Sequence, residues 1–165
     1  LLQIISKKII KSIFLFATFL MIVNCQQRKN DITITDVNGV EISNVEVYYD
    51  SEEKAIAFAA KDLSKILEKM GAKVVLKSLN EFTDEPASIY FVIAKNESSL
   101  KDKLVSSGGK AFGDLGDQDY ILRVTGSGNN MGYWALGGDR IGALYGGIHI
   151  GEILASGSLT NFKDD

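Results

Sequence analysis

The side chains that could do chemistry are few and widely spaced. The chain of 165 residues holds one histidine and one cysteine. His149 and Glu152 share a helix face. A catalytic zinc site of the His-Glu-x-x-His kind needs a second histidine, and usually three protein ligands. His149 therefore reads as a packing histidine. No Gly-x-Ser-x-Gly elbow presents a serine nucleophile. Asp114, Asp117 and Asp119 lie in a glycine-rich loop and invite a calcium reading, but no glutamate closes that loop at an EF-hand spacing. The glycine pairs near Lys110 lack the Gly-Lys-Ser/Thr of a phosphate loop. Glycoside hydrolysis needs two carboxylates held across a sugar, and no spacing here singles out such a pair. The sequence thus assigns no catalytic residue, no cofactor and no metal.

Cys25 has a different context. Residues 1–24 carry Lys7, Lys8 and Lys11, then an apolar run over residues 13–23 that is short for a membrane span. This is the layout of a secretion signal. A cysteine directly after the apolar run is the layout of a bacterial lipoprotein signal, so Cys25 is the expected lipidation site and the membrane the expected partner of that lipid. Residues 25–30 read as a short tether. With a single cysteine no disulfide within the chain staples the fold. The formal charge is −3, and the first 24 residues hold three lysines and no acid, which leaves −6 for the remainder. That balance argues against a nucleic-acid partner and fits an exported envelope protein, periplasmic or surface.

The elements that must position any site follow from periodicity. Residues 31–35 alternate with period two, and Asn38-Gly39 is a hairpin signal. Residues 45–49 form an extended run. Asp50 and Glu53 suggest a capping box. The helix they would open covers residues 52–70, with Ile56, Ala59, Leu63, Ile66, Leu67 and Met70 on one face and Gly71 as its stop. Residues 73–77 read as a strand. Residues 89–94 are apolar throughout and read as a central strand covered on both faces. Asn96 is the expected cap of a short helix containing Leu100, Leu104 and Val105. Residues 120–125 and 131–137 read as an antiparallel pair. The fold class expected is α+β: a mixed, largely antiparallel sheet with two main helices packed on one face. The domain is expected over residues 31–155, with 156–165 as the polar start of a linker to a further domain.

The last helix carries the most distinctive residues. Gly142, Gly146, Gly147 and Gly151 recur along it, although glycine costs a helix about 1 kcal/mol relative to alanine. Close backbone approach is the expected reason. Asp139 stands where an N-cap is wanted, and Ile141, Leu144, Tyr145 and Ile148 supply the periodicity expected to dock the helix on the sheet.

The run Gly137-Gly138-Asp139-x-x-Gly142-Ala143-x-Tyr145-Gly146-Gly147, leading into a helix with Glu152, resembles the N-terminal domain of α-glucuronidases. It is similar to the domain that precedes the barrel in β-hexosaminidases. The pattern Gly-Asp-x-x-Tyr-x-Leu-Arg over residues 116–123 resembles the family's strand pair. Many relatives carry an arginine four residues before the tyrosine; here Ile141 holds that position and Arg140 precedes it. The resemblance implies a non-catalytic accessory domain of an exported glycoside hydrolase acting on plant polysaccharide such as xylan. Its partner would be a catalytic barrel of the same polypeptide, and its contacts to a substrate cleft or neighbouring domain would involve Asp139, Arg140 and Tyr145. The alternative is a stand-alone carbohydrate-binding envelope lipoprotein offering Tyr133, Trp134 or Tyr145 as a stacking platform. A plain structural envelope protein is the third reading.

Overall fold

A computed structural model describes residues 43–83, 86, 88–127, 130–156, 159 and 162. The chain divides into two compact units, Leu1–Asn30 and Asp31–Asp165, and every described residue belongs to the second. The expected signal, Cys25, the tether and the hairpin around Asn38 lie outside the described residues. No helix among the described residues is long and apolar enough to cross a membrane.

Five strands form one mixed sheet: β1 (Asn44–Tyr49), β2 (Lys73–Ser78), β3 (Ile89–Lys95), β4 (Tyr120–Thr125) and β5 (Gly132–Gly137). Their spatial order is β2-β1-β3-β5-β4. Two long helices, α1 (Lys54–Lys69) and α3 (Arg140–Ala155), pack against one face of the sheet and against each other. The short helix α2 (Ser98–Ser106) covers the other face through Leu100 and Leu104. The class is α+β, with the two main helices on one face as expected.

The sheet is less antiparallel than expected. β1 runs parallel to β2 and to β3, and β3 runs parallel to β5; only β4 and β5 pair antiparallel. The reason lies in what each strand can bury. Ile89–Lys95 is buried along almost its whole length and must sit in the centre, whereas Lys73–Ser78 is half-exposed and fits an edge. The two cannot be hairpin neighbours. Chain order then places β3 on the far side of β1, and β1-α1-β2 becomes a parallel crossover unit.

α1 begins and ends differently from its sequence cues. Glu53 is its N-cap and makes no side-chain cap bond, so the expected capping box with Asp50 is absent; Asp50 Oδ1 instead accepts from Glu52 N at 3.2 Å. The stop at Gly71 is as expected. Gly71 takes φ +98°, its N–H donates to Glu68 O, and Ala72 N–H donates to Leu67 O, each at 3.0 Å. That is a Schellman closure, which a residue with a Cβ adopts only under strain. Asn96 is not the cap of α2 either: Glu97 holds that position.

One core lies under α1 and α3, where Val45, Val47, Phe91, Ile93, Leu122 and Tyr133 meet Ile56, Leu63, Leu67, Ile150 and Leu154. The second core is aromatic. Phe82 sits edge-on to Tyr48 and Trp134 with ring centroids 5.0 and 5.2 Å apart, and Tyr90 closes the cluster. Such pairs contribute about 0.5–1.5 kcal/mol each beyond their buried area. Thr125 Oγ1 sits at the polar end of this cluster. It accepts from Trp134 Nε1 at 2.9 Å and lies 2.9 Å from Tyr90 Oη. The core also runs past residue 155. Leu159 and Phe162 are buried in it, with Phe162 edge-on to Tyr133 at 5.1 Å. The boundary expected at residue 155 therefore falls inside the compact unit.

Candidate functional site: the outward face of the last helix

The turn Gly137-Gly138-Asp139 links the end of β5 to the start of α3. Asp139 is the N-cap: its Oδ1 accepts from Gly142 N at 2.7 Å and from Ile141 N at 3.0 Å. The same oxygen accepts from Gln118 N at 3.2 Å, and Gly138 N donates to Asp119 O at 2.8 Å. The loop over residues 116–119 is thereby stitched to the helix start. The N–H groups, that of Gly142 foremost, hold the Asp139 carboxyl below its ordinary value despite the opposing desolvation. Asp139 has the predicted capping role, with Oδ1 accepting three backbone N–H groups.

The glycines decide which way α3 faces. A Cβ at Gly142 would lie 2.1 Å from Asp119 O, and one at Gly146 would lie 3.0 Å from the Ala135 Cβ on β5. Cβ atoms at Gly147 and Gly151 would lie 2.8 Å from Ala59 Cβ and 2.9 Å from Ile66 Cδ1, both on α1. Together with Ala143, Ile150 and Leu154, all four glycines form the buried face. This departs in part from the expected orientation: Leu144 packs on the core as expected, whereas Tyr145 does not. Ile141, Leu144 and Ile148 are only half-buried, and Tyr145 is 46% exposed. The glycine side packs down with Ile150 and Leu154, and Tyr145 points out between Ile141 and Ile148. A helix apolar on every side normally belongs in an interior; α3 leaves Tyr145 exposed and Ile141 and Ile148 half-buried.

The predicted site residues thus separate. Asp139 is an internal clasp. Arg140 is exposed at the first helical position, and Tyr145 lies on the outward face one turn further on. Cys25 is outside the described residues. The proposed stacking platform loses two of its three aromatics, because Tyr133 and Trp134 are fully buried. His149 Nδ1 lies 3.1 Å from Tyr120 Oη with the rings edge-on, the satisfied packing role expected of it.

Sequence reasoning missed one charged cluster. Glu46 accepts from Tyr48 Oη at 2.7 Å and from Lys77 Nζ at 2.5 Å across the β1–β2 pair. Burial pushes Glu46 up, but the hydrogen bonds from Lys77 and Tyr48 and the lysine charge outweigh it and hold the carboxyl below its ordinary value. Burial raises Tyr48, and the bond to Glu46 raises Lys77. The resting charges are carboxylate, neutral phenol and ammonium, so no member is poised as a base at neutral pH. The signal was a glutamate inside the apolar run at residues 45–49, which needs a cross-strand cation. Finding that cation required the β1–β2 register.

Among the described residues no three His, Cys, Asp or Glu side chains gather to hold a metal ion. What the region offers is a surface for binding: an exposed tyrosine, Tyr145, between the half-buried Ile141 and Ile148. No family model matches the chain, and no curated protein is matched by it.

Proposed function

We propose that this domain is a non-catalytic accessory module of an exported glycoside hydrolase, α-glucuronidase-like, and that it packs against the catalytic barrel of the same polypeptide. One observation carries the reading: the outward side of α3 presents Tyr145, 46% exposed, between the half-buried Ile141 and Ile148, apolar surface left in contact with water. The glycine motif that prompted the family resemblance is the same feature that turns this patch outward. The module is tethered to a membrane through lipid on Cys25, as the order of basic, apolar and cysteine residues suggests.

The test starts with the open reading frame beyond residue 165. A barrel bearing two carboxylates across a sugar-sized cleft is the expected finding. In that longer chain Tyr145→Asp with Ile148→Asp should uncouple the two domains, so that heat unfolds them in two transitions instead of one. An aromatic hot spot at an interface is worth about 2 kcal/mol or more. A stop codon in place of a barrel, or a single unchanged transition in the double variant, would refute the reading.

A further inference from the structure

We propose that the crevice between the carboxyl ends of β1 and β3 binds a neutral, hydroxyl-rich ligand, a sugar unit by class. The strand order carries the inference, and the docking of α3 does not enter it. β1, β2, β3 and β5 run parallel, in the order β2-β1-β3-β5. The chain leaves β1 through α1, which packs on one face of the sheet, and returns in β2. It leaves β3 through α2, which packs on the other face, and returns on the opposite side of the sheet in β4 and β5. β1 and β3 are neighbours, so the two connections part in opposite directions from adjacent strands and leave a gap at their carboxyl ends. In open α/β sheets this switch point is where ligands bind.

The side chains at the gap are polar and half-sunk. The loop after β1 brings Asp50 and Glu53, the end of β3 brings Lys95 and Asn96, and all four are half-buried. Lys95 Nζ donates to Glu53 Oε1 at 3.0 Å, which joins the end of β3 to the loop after β1. Asn96 is anchored through its backbone, whose N–H donates to Gly137 O at 2.7 Å, but its Oδ1 is buried without a hydrogen-bond partner. Buried oxygens are rarely left so. A turn of that amide about its side chain would bring Oδ1 to a ligand hydroxyl and supply the missing bond.

Charge selects the class of ligand. Glu53, Asp50 and Glu97 surround one lysine, and the bond to Glu53 foremost holds Lys95 above its ordinary value. Arg140, at the end of β5, is balanced by Asp139. The gap is therefore net negative, and the phosphate groups that such switch points usually receive are disfavoured there. A cation would compete with Lys95, which already fills that role. A neutral polyol fits both signs, because its hydroxyls donate to the carboxylates of Asp50 and Glu53 and accept from Lys95.

The experiment follows the backbone amides of the nitrogen-labelled 165-residue chain by NMR as xylotriose or cellotriose is added. The signals of Ser51, Glu53, Lys95 and Asn96 should move together and saturate, and inorganic phosphate should move none of them. Lys95→Met and Asn96→Ala should each weaken the sugar binding about tenfold, the size of one lost hydrogen bond. Asn96→Ala removes no side-chain bond of the free protein and carries the test if Lys95→Met unfolds the domain. No shift with either sugar, or shifts confined to the surroundings of Tyr145, overturns the inference. Saturable shifts of the same four amides with phosphate and not with sugar overturn it as well, by assigning an anion site. The result is independent of whether a barrel follows residue 165, so the failure of this inference and that of the accessory-module reading are separable.

Discussion

Gly142→Ala and Gly151→Ala are the same chemical change on the same helix, and the structure requires opposite outcomes. By helix propensity alone each should stabilise by up to about 1 kcal/mol. At Gly142 the new Cβ would lie 2.1 Å from Asp119 O, a backbone atom that is itself bonded to Gly138 N at 2.8 Å. The loop over residues 116–119 must retreat by more than 1 Å, on the order of the gap between that distance and ordinary contact. Overpacking of this kind costs about 1–3 kcal/mol, and the lost hydrogen bond costs about 1 kcal/mol more. After the propensity gain the net destabilisation is about 1–3 kcal/mol. At Gly151 the nearest atom is Ile66 Cδ1, the free end of a side chain with a rotamer to spare. That variant should be unchanged or more stable by about 0.5 kcal/mol. Urea titration followed by circular dichroism and by the fluorescence of Trp134, the sole tryptophan, measures both, with equal m-values required for the comparison. Equal stabilisation by the two substitutions would mean that the loop does not rest on α3. The argument for its outward orientation would then fail.

Two further expectations concern polar groups in the sheet. Thr125→Val keeps the shape but removes the oxygen that accepts from Trp134 Nε1 and meets Tyr90 Oη. Two buried groups lose a partner, so stability should drop by about 2–4 kcal/mol, read from the urea midpoint; a loss below about 1 kcal/mol would place water in that site. Lys77→Met should alter the acid limb of the stability profile. The folded-state value of Glu46 is depressed, so its contribution is present above the ordinary carboxylate range and is lost as pH falls through the folded value. The wild-type advantage over Lys77→Met should therefore shrink as pH drops from 7 toward 3, and a gap that stays constant in urea titrations across that window would contradict the assigned clasp.

α1 was legible in the sequence because its apolar residues fall on one stripe and its lysines on another, so only one orientation buries the first without the second. β3 was legible because six apolar residues in succession, Ile89 to Ala94, can only occupy the middle of a sheet. The β4–β5 hairpin was legible from its turn. Periodicity did not show which strands pair. β2 and β3 are consecutive and of similar length, and only the competition for the central, doubly covered position separates them. Leu159 and Phe162 stand isolated among polar neighbours, so periodicity gives no sign that both are core residues.

α3 marks the division most sharply. Its glycines, its cap at Asp139 and its apolar residues are all plain in the sequence, and they determine that a helix starts at residue 140 and that something approaches it closely. They do not determine which side is approached. Large apolar side chains and glycines both favour burial, the first by removing surface from water and the second by admitting a neighbour's backbone. Only the positions of Asp119, Ala135 and Ala59 settle the contest, because a backbone carbonyl 2.1 Å from a would-be Cβ leaves no room for any other residue. Ile141, Tyr145 and Ile148 take the remaining side, because the glycines occupy the positions where the neighbouring backbone and helix come closest.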